Sequence, residues 1–338
     1  MSNETPFLPE NEAEPALEEL EDGDAQDAAP IELRMTPAVC GMRLDKALAG
    51  FLPHYSRSRL QQWIEAGLVT VDGAPARAKA TLLGDEVVRI LPQPAPEQQA
   101  FAPEAMDLDI VFEDQAIIVI NKPVGLVVHP AAGNWSGTLL NGLLHHAPDL
   151  ARVPRAGIVH RLDKDTSGLM VVAKTLEAQT DLVRQLQARS VKREYLALVW
   201  GAPHINGRVE AALARHPRDR IKMAVSQHES AKPAITHYQR IATGKLAQQA
   251  VSLMRCQLET GRTHQIRVHM QSIGFPLVGD TLYGKAHLAV VFDHQALHAF
   301  RLGFLHPATR QECAWQAALP SDFAALLQSA GIAADLSK

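Results

Sequence analysis

The sequence predicts an α+β protein of two folded domains, and three observations carry that prediction. Its 338 residues exceed the ~100–200 of a typical single domain. Beyond residue 105, short apolar runs bounded by turn residues outnumber helical patterns, which favours grouped strands over a doubly wound sheet. Between the two parts, Pro92, Pro94, Pro96 and Pro103 punctuate residues 91–104, a composition suited to a stiff, extended tether. The expected order is a tail over 1–30, a small domain over 31–90, the linker over 91–104, a large domain over 105–325 and a C-terminal tail over 326–338.

Charge is unevenly spread. The chain holds 33 Lys and Arg against 37 Asp and Glu, a formal net charge of −4. Ten acids (Glu4, Glu10, Glu12, Glu14, Glu18, Glu19, Glu21, Asp22, Asp24 and Asp27) lie in residues 1–30, which contain no Lys or Arg. The remaining 33 basic and 27 acidic residues give a body of about +6, which permits a polyanionic partner without requiring one. The tail has little apolar material and is expected to be disordered. Cys40, Cys256 and Cys313 share no C-x-x-C spacing, so neither a disulfide framework nor a zinc site is predicted. The longest apolar run, residues 195–200, is far short of the ~18 residues of a membrane span. No leader pattern opens the chain. A cytoplasmic, monomeric protein without membrane attachment is expected.

In the small domain, Leu44, Leu48 and Leu52 recur four apart on one helical face, and Pro53 stops that helix. Ser56 is placed to cap a second helix over 57–66, with Leu60, Trp63 and Ile64 as its apolar stripe and Gly67 as its stop. A strand over 68–71 runs into Asp72-Gly73, a tight-hairpin signal, and 87–90 reads as the return strand. Arg57 and Arg59 fall in the first turn of the second helix, where free N–H groups and the helix dipole favour a phosphate. Arg43, Lys46, Arg77 and Lys79 add to this charge. Taken singly, each reads better as a solvated surface cation.

In the large domain, strands are expected over 110–112, 116–120, 126–128, 169–173, 191–200 and 251–258, and a helix over 176–190. Gly157-Ile158-Val159 reads as a strand end feeding the densest polar motif, His160-Arg161-Leu162-Asp163-Lys164-Asp165-Thr166-Ser167-Gly168. Asp163 is there a candidate nucleophile or base; alone, the segment reads better as a turn that an Asp caps. Lys192-Arg193-Glu194-Tyr195 opens a strand. Thr260-Gly261-Arg262-Thr263-His264-Gln265-Ile266-Arg267-Val268-His269-Met270 opens a helix with Thr263 as the expected N-cap, and a turn-rich return through Gly279-Asp280 follows. Cys256 reads as packing. His145, His146, His298 and His306 have no ligand spacing.

Two resemblances give these motifs a meaning. Arg43-Leu44-Asp45 followed by Leu48, and Ser56-Arg57-Ser58 followed by Ile64, resemble the alpha-L (S4-like) RNA-binding domain. H-R-L-D-x-x-T-S-G, R-E-Y and T-G-R-x-H-Q-I-R-V-H, with Asn121-Lys122-Pro123-Val124-Gly125 and Val128-His129-Pro130, resemble the pseudouridine synthases of the RluA family over residues 31–320. The resemblance implies a catalytic domain with a mixed or antiparallel central sheet. It also implies an isomerase that breaks the C1′–N1 bond of a uridine, turns the uracil and rejoins it through C5. No atom is gained or lost, so neither cofactor nor metal is implied, and the sequence has no phosphate-binding G-x-x-x-x-G-K-[ST] loop.

By the same resemblance Asp163 is the essential carboxylate, either attacking C1′ or taking a sugar proton, with Arg267 as its ion partner. Tyr195 packs against the flipped base, and Arg161 enters the RNA in its place, offsetting part of the few kcal/mol that flipping costs. Arg262 and His264 are candidate phosphate contacts, with a helix-start role equally open. Arg43, Arg57 and Arg59 are the RNA-binding candidates of the small domain. Pro154-Arg155-Ala156-Gly157, Arg215-His216-Pro217 and Lys232-Pro233-Ala234 resemble a subgroup acting on large-subunit RNA. That implies 23S rRNA, at the helix 69 stem-loop, free or in the assembling large subunit, as partner. The alternatives are a sister enzyme with other large-subunit sites and a non-catalytic ribosome assembly factor.

Overall fold

The computed structural model describes residues 30–92, 100–131, 133–284 and 291–333, and the chain divides into two compact units, 1–95 and 96–338. The expected acidic tail, Pro30 excepted, and linker residues 93–99 lie outside the described residues.

The smaller unit runs β1 (Ile31–Arg34), α1 (Leu44–Phe51), α2 (Arg57–Glu65), β2 (Val69–Val71), β3 (Ala74–Pro75) and β4 (Val87–Ile90), its strands forming an antiparallel sheet in the order β1-β4-β2-β3. Leu44, Leu48, Leu60, Trp63 and Ile64 close against Val69, Val88 and Ile90, each full burial contributing ~1.5–3 kcal/mol. Ser56 Oγ accepts a hydrogen bond from the Arg59 amide, as an N-cap should. Asp72 and Gly73 both take left-handed backbone (φ 49° and 80°), the geometry a two-residue hairpin turn requires.

The larger unit follows β5 (Ile110–Glu113), β6 (Ile117–Lys122), α3 (Leu139–His146), β7 (Ser167–Ala173), α4 (Leu176–Gln187), β8 (Lys192–Trp200), β9 (Asn206–Glu210), β10 (Leu213–Arg215), β11 (Met223–Val225), β12 (Ile235–Leu246), β13 (Gln249–Leu258), α5 (Gln265–Ser272), β14 (Leu297–Leu305), β15 (Glu312–Gln316) and α6 (Ser321–Ser329). Nine of these strands, among the described residues, form one sheet ordered β5-β6-β7-β14-β8-β13-β12-β9, with β15 also on β14. The β7–β14 pairing is parallel and the others are antiparallel, so the sheet is mixed. Strand alternation sorts β8 between two cores. Tyr195, Ala197 and Val199 face Leu139, Leu143, Ile266 and Met270; Leu196, Leu198 and Trp200 face Phe323, Leu326 and Leu327. No helix among the described residues is long and apolar enough to cross a membrane.

Four expectations are corrected. Residues 126–128 form no strand: Pro123 and left-handed Gly125 bend the chain, and the carbonyls of Val127 and Val128 accept the first amides of α3 instead. Residues 154–157 make a left-handed turn (φ 55°, 50° and 76° at Arg155, Ala156 and Gly157) rather than feeding a strand end, and Ile158 makes a single bridge to Val172. The described end of the linker is docked, not a tether: Asn141 donates to the carbonyls of Ala100 and Ala102, and Glu104 accepts from the Gly137 amide. The C-terminal tail does not begin at 326, because α6 continues to Ser329 and buries Leu326, Leu327, Ala330 and Ile332.

Candidate active site

Asp163 sits in the turn ahead of β7, and the turn is fixed on both sides of it. Leu162 is buried in the core. On the other side, the wholly buried Lys122 ammonium donates to the carbonyls of Pro123, Leu126 and Lys164 at 2.8, 2.9 and 2.9 Å. The Gly125 amide reaches the same Lys164 carbonyl. Burial pulls the Lys122 pKa down to about 8, with Asp165 and Asp163 opposing, so its charge persists at neutral pH. The turn thus presents Asp163 with a side chain 17% exposed.

Arg267 projects from α5 and joins two acids. Its Nη1 donates to Asp163 Oδ2 at 3.0 Å, while Nε and Nη2 form a two-pronged pair with Asp280 at 2.7 and 3.0 Å. Asp280 is fully buried and also accepts the amides of Leu282 and Tyr283. Burial by itself lowers the Arg267 pKa; the hydrogen bonds and charges of Asp280 and Asp163 outweigh it and raise the pKa overall. The guanidinium also lies 5.0 Å from the centre of the Tyr283 ring.

His264, not Thr263, caps α5. It takes a left-handed backbone (φ 56°), and the Gln265 side chain closes the turn by accepting from the Thr260 hydroxyl and the Arg262 amide. His264 Nδ1 lies 2.8 Å from the Tyr283 hydroxyl, and Nε2 lies 4.0 Å from Asp163 Oδ1. The Tyr283 oxygen already accepts from the Met223 amide. The phenol can donate its own proton to Nδ1, the tautomer that turns Nε2–H toward Asp163. Burial lowers the His264 pKa, helped by Arg267 against the pull of Asp163, so the ring stays neutral at pH 7.

Tyr195 is 6% exposed on the same side of the sheet as Leu162. Burial raises its pKa, Arg193 opposes and the Asp163 charge adds. Its hydroxyl is neutral at physiological pH, a hydrogen-bonding group beside an aromatic face. Arg161 is exposed. Arg262 is exposed too and donates through Nε to the Pro233 carbonyl rather than to Asp163.

In the smaller unit the buried Asp45 receives two hydrogen bonds from each of Arg43 and Arg57 and another from Gln61. Burial raises the Asp45 pKa, but the hydrogen bonds from Arg43, Gln61 and Arg57 outweigh it, and the carboxyl is held at about 2. Arg43 and Arg57 remain 42% and 47% exposed. Arg59 lies over the Trp63 ring at 5.2 Å.

Of the residues expected from sequence, Asp163, Arg267 and His264 come together. Asp280, Tyr283 and Lys122 join them without having been singled out. For Asp280 the available signal was its place in the Gly279-Asp280 turn ahead of Tyr283.

A mixed sheet carrying a fixed acid–arginine pair, behind a small helix-and-hairpin unit, matches known proteins at each level. Residues 116–272 match the family model of RNA pseudouridylate synthases and residues 42–88 that of the S4 domain. The chain belongs to the RNA pseudouridine synthases: it is an isomerase that carries an S4 RNA-binding domain. It is 52% identical over 314 residues to ribosomal large subunit pseudouridine synthase D of Nitrosomonas europaea, covering 91% of this chain and 90% of that protein. The enzyme of the same name from Neisseria meningitidis serogroup A is 50% identical over 321 residues, 91% of this chain and 84% of that one. Among solved structures, human RNA pseudouridylate synthase domain containing 1 superposes with a TM-score of 0.52 at 27% identity, covering 68% of this chain and 86% of that one.

Proposed function

We propose that this enzyme isomerises uridines of 23S rRNA, in the helix 69 stem-loop, with Asp163 as the essential carboxylate. The names and extents of its relatives support a large-subunit substrate. The observation that carries the chemistry is the asymmetry at Asp163: Oδ2 is held by Arg267, whereas Oδ1 has no hydrogen bond from the neutral His264, whose Nε2 lies 4.0 Å away. A carboxylate held on one side and open on the other suits attack at C1′ or removal of a sugar proton equally. Arg267 keeps a full positive charge beside it, Tyr195 packs against the flipped base, and Arg161 fills the gap left in the RNA. Arg262 contacts the RNA backbone, as do Arg43, Arg57 and Arg59 of the S4 domain. His264 contacts RNA from beside the carboxylate. The enzyme works as a cytoplasmic monomer without cofactor or metal.

The test is to map pseudouridines in 23S rRNA from cells with and without the gene. Marks in the helix 69 loop should vanish on deletion, return with the wild-type gene and stay absent with Asp163→Asn. Loss of marks elsewhere in the large-subunit RNA would transfer the assignment to a sister specificity. Defective subunits with every mark intact would indicate an assembly factor.

A further inference from the structure

Arg193 opens β8 two residues before Tyr195, so the regular alternation of that strand places both on one face of the sheet. It is 6% exposed, yet no carboxylate among the described residues pairs with it. Nη2 makes a long contact, 3.4 Å, to the Glu259 carbonyl, and the buried Nε has no partner. The Glu259 carboxylate is turned away and bonded to Arg189 and His237. Beside Arg193 stands a second cation, Arg262, which together with burial lowers the Arg193 pKa. Gly261 lies against its head: a Cβ there would fall 2.5 Å from Nη1. A buried cation without a counter-ion destabilises the protein that carries it, and nothing else among the described residues accounts for this one.

We propose that Arg193 is an anion receptor held in reserve in the active site, filled by a negatively charged oxygen of the bound RNA. The inference rests on the reading of Tyr195 as the residue that packs against the flipped base. Breaking C1′–N1 leaves the bonding electron pair on the uracil, shared among N1, O2 and O4. That pair then forms the C5–C1′ bond, the C5 proton departs and N1 takes one up. A desolvated guanidinium on the Tyr195 face meets O2 or O4 while the charge is there, as donors aimed at a transient anion do. The other source of the same chemistry is a phosphate beside the flipped nucleotide, shared with Arg262.

The variants are Arg193→Gln, Arg193→Lys and Gly261→Ala, and the probe is a 23S rRNA transcript labelled with tritium at uridine C5. Removing an unpaired buried charge should leave the melting temperature of the free enzyme unchanged or higher, whereas a structural arginine would lower it. If the oxygen is the uracil's, single-turnover tritium release at saturating RNA falls about 100-fold in Arg193→Gln, with partial rescue by Lys and unchanged affinity. If it is a phosphate's, the rate holds while affinity weakens and the slope of log K against log salt drops by about one. Gly261→Ala, which displaces the head and keeps the charge, should move the same quantity less. Unchanged rate, affinity and salt slope in Arg193→Gln and Gly261→Ala would overturn the proposal. The wild-type rate on this transcript reports on the substrate reading; the ratio of variant to wild type reports on Arg193.

Discussion

The two units solve opposite problems with the same three-group motif. In the smaller, one buried acid, Asp45, holds two half-exposed arginines, so the cluster turns surplus positive charge outward. In the larger, one buried arginine, Arg267, holds two acids, the hidden Asp280 and the partly exposed Asp163, so the surplus presented is a carboxylate. The buried member fixes geometry and, in the proposed reading, the exposed members meet RNA. A cation outward suits grip on phosphate; an acid outward suits chemistry on a sugar. The sign of the central residue decides which charge the cluster presents.

The largest expected effect breaks the second cluster at its exposed member. Asp163→Asn keeps the volume but removes the charge, and tritium release from C5-labelled RNA should fall by more than ~1,000-fold. RNA affinity should stay within about threefold, since Lys and Arg contacts to phosphate dominate it. A folded variant that still released tritium at an appreciable rate would show that the exposed acid is not the working one. Next comes the hidden member. Asp280→Asn leaves Arg267 half-paired and should cost the larger unit ~3–5 kcal/mol in urea unfolding. Its rate should fall as well, because the two-pronged pair with Asp280 aligns the guanidinium that holds Asp163; loss of stability without loss of rate would separate the two acids' roles.

The smallest effect sharpens the first cluster. Asp45→Asn should weaken RNA binding by about threefold, as Arg43 and Arg57 lose their shared anchor while keeping their charge. The same cluster predicts an acid limit. The Asp45 carboxyl is held at about 2 against an ordinary value of 3.8. The unfolded chain therefore takes up the proton first as pH falls. The stability Asp45 contributes is complete above its unfolded pKa, declines as pH falls through that value and is gone below about pH 2. Fluorescence-monitored acid titration of Asp45→Asn should lack that part of the wild-type decline.

What could be read from sequence follows from how local each cause is. The Ser56 cap, the Leu44–Leu48 stripe and the Asp72-Gly73 turn depend on residues within a few positions, and each stands where the spacing puts it. The pairing of Asp163 with Arg267 was legible only through motif resemblance, since 104 residues separate them. Asp280 was not singled out because a buried acid in a turn and a solvated one look alike in sequence. The spacing of Phe323, Leu326 and Leu327, one face at three and four residues, carries the signal for α6, and a domain boundary at 325 cuts through it. The cap falls on His264 rather than Thr263, at a left-handed residue whose imidazole meets the Tyr283 hydroxyl from across the fold, a contact that local spacing does not encode.

The place of β14 bears on how the enzyme is made. Among the described residues, two runs of antiparallel strands, β5-β6-β7 and β8-β13-β12-β9, are joined into one sheet through this late strand, which lies between β7 and β8. Asp163 lies in the turn that leads into the first run at β7; Tyr195 lies on β8 of the second, and Arg267 on α5, which follows β13. As the chain leaves the ribosome, both runs emerge with an unpaired edge, a hazard for misassembly. The long-range pairing that joins them must wait for residues 297–305. A nascent chain stalled just short of that strand would contain every proposed catalytic residue and still lack the seam that brings them together.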